Sequence, residues 1–99
     1  MQMNKIEEMA YSIKADNYSK FLKIIGHPLR LKILIAIYLK KCKVGGLVEC
    51  LKEPQPIVSQ QIAILRKGNV IEGDKDKNTI TYRINDEFVE DIIKYIVKT

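Results

Sequence analysis

Apolar residues recur at helical spacing through most of this chain. Ile6, Met9, Ala10 and Ile13 share one side of residues 3–14, and Tyr18, Phe21, Leu22 and Ile25 form a further stripe behind the candidate caps Asp16 and Asn17. That spacing fits two helices, or one long helix with a break. Gly26-His27-Pro28 stops the run, and Pro28 suits the first position of the next helix, where its missing N–H is no loss. Leu31, Leu34, Ile35 and Tyr38 predict a wide buried face there, with Arg30, Lys32 and Lys40 in water. Past a polar break at Lys40-Lys41-Cys42-Lys43, residues 45–51 read as a short third helix. It must end at Glu53, which Pro54 pushes toward an extended conformation. Pro56 can begin a fourth helix, on which Val58, Ile62 and Leu65 make one narrow core-facing stripe. Gly68 and Asn69 both tolerate positive φ and close it.

The period then changes from helical to alternating. Val70-Ile71 and Thr79-Ile80-Thr81-Tyr82-Arg83-Ile84 are rich in branched and aromatic residues and predict strands, with Gly73-Asp74-Lys75-Asp76-Lys77-Asn78 as the turn of a hairpin. Residues 86–98 predict a last helix with acids early and lysines late, as its dipole favours. Phe88, Val89, Ile92, Ile93, Ile96 and Val97 give that helix an apolar face too broad for a lone surface helix. No repeat or interdomain linker is visible. The expected fold is mainly α with a small β-hairpin, in the order α-α-α-α-β-β-α of a winged helix-turn-helix, as a single domain over residues 1–99.

Composition narrows the function classes. Ninety-nine residues suffice for one core but leave little room for a roomy enzyme pocket. An apolar content of 46% without low-complexity stretches marks a folded chain. The formal charge of +5 suits a polyanionic partner, although many basic domains never touch nucleic acid. Met1-Gln2-Met3-Asn4-Lys5 lacks the apolar core of a signal peptide, and no apolar run approaches the roughly 20 residues that span a bilayer. Cys42 and Cys50 are too few for a disulfide scaffold and fit a reducing cytosol. The expectation is a cytoplasmic protein without a membrane partner.

The fourth helix carries the chemistry. Ser59, Gln60, Ala63 and Lys67 point away from the Val58-Ile62-Leu65 stripe, and Gln55 and Ser59 lie near the N-terminus, the end that enters a major groove in helix-turn-helix docking. Glutamine donates and accepts in one plane and can pair with adenine N6 and N7, while serine fits either partner. Small Ala63 lets the backbone approach. Arg66 and Lys67, in the last turn, suit phosphates, and Gln61, a further candidate for DNA contact, falls at the border of the core face. Lys75 and Lys77 are expected at the hairpin tip, weakened as a field by Asp74 and Asp76. The Lys40, Lys41 and Lys43 cluster either touches flanking phosphates or forms a solvated loop. Together these features predict a double-stranded DNA partner.

From about Phe21 onward the chain resembles the ArsR/SmtB family of winged-helix repressors. The resemblance is carried by His27-Pro28-Leu29-Arg30-Leu31-Lys32-Ile33-Leu34, by Gln55-Pro56-Ile57-Val58-Ser59-Gln60-Gln61-Ile62, by Leu65-Arg66, and by the hairpin end Tyr82-Arg83-Ile84. It implies a homodimer built through the first and last helices, a twofold-symmetric operator, and a repressor released by a metal ion or another inducer. The family pattern often has histidine where this chain has Gln61.

The family's metal sites are mostly missing. The positions matching its third-helix cysteines are Lys43 and Gly45. In the last helix Asp86 matches the first zinc-type ligand, but Phe88 follows two later and no histidine is present. Without imidazole or thiolate such a site would be weak, so no metal and no cofactor are expected. The single histidine, His27, reads as a helix-start residue. Cys42 and Cys50 offer a redox switch, as in some relatives of the family, although the positions used there correspond here to Ile35 and to a last helix without cysteine. Cys42, between Lys41 and Lys43, is the more reactive candidate, and Cys50 reads as a small buried hydrophobe.

Two other classes compete. An enzyme lacks support, having no nucleophile–base pairing, no phosphate-binding glycine loop and only one histidine; the acids Asp86, Glu87, Glu90 and Asp91 more simply complement a helix dipole. A winged-helix module that binds protein would use the same core without needing an exposed Gln/Ser face.

Overall fold

A computed structural model describes residues 2–39 and 46–99. Five helices and one hairpin follow in the order α1 (Lys5–Ile25), α2 (Pro28–Leu39), α3 (Leu47–Leu51), α4 (Gln55–Lys67), β1 (Ile71–Asp76), β2 (Thr79–Ile84) and α5 (Glu87–Lys98). This is the element order of the winged helix-turn-helix expected from the sequence. Lys40, Lys41, Cys42, Lys43 and Gly45 lie outside the described residues, and with them the basic cluster, one of the two redox candidates and the expected start of the third helix.

Helix α1 is continuous for 21 residues, without the break that Asp16 and Asn17 suggested. The cap is further back: Asn4 Oδ1 accepts from the Glu7 amide at 2.8 Å, and Glu7 and Glu8 sit favourably in the first turn. Asp16 and Asn17 are exposed mid-helix residues, where a polar side chain without glycine or proline is no barrier. Two apolar stripes on different sides of one helix mimicked a restart. Most of α1 stands clear of the rest of the chain: every residue from Lys5 to Lys20 is exposed, Ile6 at 79%. Its C-terminal turns pack on α2 and α4, and Tyr18 meets Phe88 of α5 with ring centres 4.5 Å apart.

Helix α2 is the hub, touching α1, α3, α4, β2 and α5. Its most buried residues are Ile33, Leu34 and Ile37, while Leu31, Ile35 and Tyr38 are only half-buried. The expected single face was therefore too narrow, because a helix enclosed on several sides has no single stripe. Arg30, expected in water, is half-buried and donates from Nη1 to the Ile24 carbonyl at 2.9 Å. His27 Nδ1 accepts from the Leu29 and Arg30 amides at 3.2 and 3.4 Å, and so caps α2 as its position suggested.

Ile25, Ile33, Leu34, Ile37, Leu65, Val70, Ile71, Val89 and Ile93 form one buried cluster. Asp86 caps α5, its Oδ2 accepting from the Val89 amide at 2.9 Å. Helix α4 ends in a Schellman motif: Val70 N–H donates to the Leu65 carbonyl and Asn69 N–H to that of Arg66, with Asn69 at φ 59°. Asn69 alone takes the positive φ; Gly68 sits at −82°. Glycine suits position 68 for another reason, since a Cβ there would collide with Ile24 Cδ1 of α1, which would have to shift.

The hairpin differs most from expectation. Strand β1 runs to Asp76, paired antiparallel with β2 from Ile71↔Ile84 to Asp76↔Thr79, so the connection is only Lys77-Asn78. Gly73 belongs to the strand, opposite Tyr82, where a Cβ would sit 3.1 Å from Tyr82 Cε1 and 3.0 Å from Ile80 Cγ2. The glycine makes room for two large neighbours rather than a turn. The turn falls instead on Lys77, at φ 57°.

Candidate nucleic-acid interface

Three residues, Lys52-Glu53-Pro54, join α3 to α4, the length a helix-turn-helix uses. Lys52 adopts the left-handed conformation at φ 55° that turns the chain out of α3. Nothing in the sequence signals this, because the residue is neither glycine nor asparagine. Pro54 then precedes α4, and its carbonyl accepts from the Ile57 and Val58 amides at 3.0 and 3.1 Å.

Thirteen residues give α4 a length of about 20 Å, enough to lie along a groove. Val58 and Leu65 are buried and Ile62 half-buried, so the helix presents its opposite side outward. Gln55, Ser59, Gln60, Ala63, Arg66 and Lys67 are all exposed. At 100° per residue Ser59, Ala63, Lys67 and Gln60 cluster around the direction opposite the core. Gln61 sits apart from this group. It is half-buried, and its Oε1 is buried without a hydrogen-bond partner, which leaves little of the amide to read a base edge.

In the hairpin, strand alternation sorts the charges onto faces. Glu72, Asp74 and Asp76 line one face with Arg83, Thr81 and Thr79 opposite; Ile71, Gly73 and Lys75 line the other with Ile84, Tyr82 and Ile80. Arg83 is held on the acidic face, with Nη2 3.1 Å from Glu72 Oε2 and Nε 3.3 Å from Asp74 Oδ2. Lys75 is in the strand and not at the tip, which only Lys77 occupies; both are exposed. Among the described residues Arg66, Lys67, Lys75 and Lys77 enter no ion pair. Four cations therefore remain available to an anion, two at the end of α4 and two on the hairpin.

The donor set does not fit the family's last-helix metal site. Asp86, which matches its first ligand, is engaged as the α5 cap, and the described residues contain no group of three or more His, Cys, Asp or Glu side chains able to hold a metal ion. Cys50 is exposed on α3 and disulfide-bonded, and so is not the buried hydrophobe its short apolar helix suggested. No described helix is long and apolar enough to cross a membrane.

The family model for bacterial regulatory proteins of the arsR family matches residues 27–72, from the α2 cap to the second residue of β1. The transcriptional repressor PagR of Bacillus anthracis is 37% identical over 94 residues, covering 94% of this chain and 90% of PagR. Its crystal structure superposes with a TM-score of 0.76 over 86% of this chain and 98% of that one, at 35% identity. The crystal structure of the transcriptional regulator HlyU from Vibrio vulnificus CMCP6 covers 97% of both chains with a TM-score of 0.81 at 29% identity. The HTH-type transcriptional repressor SmtB of Mycobacterium tuberculosis is 30% identical over 78 residues, which span 79% of this chain and 58% of that protein.

Proposed function

The chain belongs to the arsR family of bacterial regulatory proteins, and on that premise we propose that it is a homodimeric, cytoplasmic transcriptional repressor that reads a twofold-symmetric operator with α4. The observation that carries this reading is the outer face of α4. Gln55, Ser59, Gln60 and Ala63 are exposed, uncharged and placed at or near the helix N-terminal half, directly after a three-residue turn. A helix that merely needed to be soluble would serve as well with charged residues there. Ser59 and Gln60 read base edges, Gln55 approaches the groove at the helix start, and Ala63 keeps the surface low. Arg66, Lys67, Lys75 and Lys77 hold phosphates, which sets register without reading sequence. Gln61 contributes packing at the border instead.

What one protomer leaves uncovered supports the dimer. Met9, Ile13 and Leu22 of α1 and Tyr95 of α5 are exposed apolar side chains on the two terminal helices. Two protomers so joined would place their α4 helices about one helical turn, ~34–36 Å, apart. PagR and SmtB are repressors by name, which supports the sign of regulation proposed here.

The test is a binding titration on DNA from the protein's own promoter region. Specific binding should survive excess competitor DNA and weaken steeply with added salt. A complex that competitor abolishes would instead favour a winged-helix module that binds protein. A second reading, redox-controlled release, is favoured by the disulfide at exposed Cys50, on a helix packed against α4. Operator affinity should then change when dithiothreitol is added, and Cys50→Ser should remove the response. Unchanged wild-type affinity excludes it.

A further inference from the structure

Between the end of α2, strand β2 and the first half of α5 lies a cleft of about 320 Å³, lined by Ile37, Tyr38, Tyr82, Arg83, Ile84 and Glu90. That volume is at the lower end of the range for small-molecule sites, roughly 300–1,000 Å³. Ile37 and Ile84 supply apolar wall, and two phenol side chains supply aromatic surface with polar tips. The charge of the cleft follows from the hairpin register. Arg83 belongs to the opposite face of the hairpin, and its guanidinium is taken by Glu72 and Asp74. Glu90 has no ion pair among the described residues. Among the described residues the cleft therefore presents one carboxylate, two tyrosines and no cation outside an ion pair.

We infer that this cleft binds a small aromatic or alkyl ammonium cation and that its occupancy alters DNA affinity. An exposed carboxylate alone attracts weakly. Beside aromatic side chains and an apolar wall the same charge becomes selective, because a cation gains from both while an anion gains from neither. The location supplies the coupling. A ligand here touches β2, which carries the hairpin cations Lys75 and Lys77 through its pairing with β1, and α5, one of the two helices assigned to the dimer seam. Wedging these elements changes where the hairpin stands relative to the partner protomer. The cleft is thus an inducer site of the regulator proposed above, and this regulatory half rests on that reading.

The probe set is 1-naphthylmethylammonium, 1-naphthalenemethanol and 1-naphthylacetate, which keep the ring system and change the charge. They are titrated into the isotopically labelled full chain without DNA, following the isoleucine methyl and tyrosine ring signals by NMR. The ammonium compound should shift Ile37, Tyr38, Tyr82 and Ile84 saturably, the alcohol should bind about tenfold more weakly, and the acid should not bind. Glu90→Gln, an exposed substitution, should weaken the ammonium about tenfold and leave the alcohol unchanged. Equal affinity for all three probes, shifts elsewhere in the molecule, or no saturable shift overturns the site. In a parallel operator titration, ammonium at a concentration that half-saturates the wild type should change wild-type operator affinity and alter that of Glu90→Gln several-fold less; an occupied cleft with unaltered operator affinity overturns the coupling. A chain that binds no operator at all would overturn the repressor reading and leave the NMR result standing.

Discussion

Replacing Ser59 and Gln60 together by alanine separates reading a sequence from holding a backbone. Both side chains are exposed and make no intramolecular hydrogen bond among those resolved in the structure, so the folded state loses nothing it uses. Alanine is also a better helix former than either. Thermal stability should therefore stay within about 0.5 kcal/mol of wild type. A good base contact contributes about 1–3 kcal/mol of discrimination. Taking the low end, and counting one lost contact in each of two protomers, the dimer loses about 2 kcal/mol, roughly a 30-fold fall in operator affinity. Affinity for random DNA, which we assign to Arg66, Lys67, Lys75 and Lys77, should change by less than about twofold. Fluorescence anisotropy on operator and random duplexes of equal length, at one fixed salt concentration, reads both numbers. Circular dichroism melting reads the third. Equal losses on the two duplexes, or a clear drop in melting temperature, would refute the assignment of α4.

Three further outcomes are expected. Lys77→Ala should weaken operator and random DNA alike and reduce the slope of log K against log salt by about two per dimer, whereas Arg83→Gln should leave that slope unchanged because its charge is already held by two carboxylates. His27→Ala removes the acceptor for two amides at the start of α2 and should cost about 1 kcal/mol, lowering the melting temperature by about 4–8 °C, while His27→Asn should recover most of it. Ile13→Glu with Leu22→Glu, both on exposed parts of α1, should convert the proposed dimer to monomer in sedimentation velocity without unfolding the protomer.

Some of this molecule is legible in the chain, for identifiable reasons. Helix α4 could be placed closely because prolines at 54 and 56 bracket its start and one apolar stripe specifies its inner side. The border position of Gln61 follows from the same simple periodicity, whereas Asp86, read as the first acid inside the last helix, is the cap just before it. Other features resist because one local signal has two physical causes. Gly73 reads as a turn, yet here it answers the bulk of Tyr82 and Ile80 across the sheet. Lys52 and Lys77 adopt positive φ without the glycine that announces it. Asp16 and Asn17 look like caps, but a helix nucleated at Asn4 runs through them. Helix α2 misleads because it touches five other elements, and a pattern search assumes one buried side. The cleft could not be foreseen at all, since it joins residues 37–38, 82–84 and 90 only through the tertiary fold.

The bracing of Arg83 between Glu72 and Asp74 has a consequence for how this protein travels. Strands β1 and β2 with their connection carry three acids, Glu72, Asp74 and Asp76, against three bases, Lys75, Lys77 and Arg83, so the arm is electrically neutral as a whole. Beyond a Debye length of about 8 Å it exerts no pull on a phosphate lattice. It feels a torque instead, since its acidic side is repelled as Lys75 and Lys77 are drawn in. The arm behaves as a keel: it aligns an approaching protomer at a distance, and Lys75 and Lys77 add their grip only once they reach the phosphates.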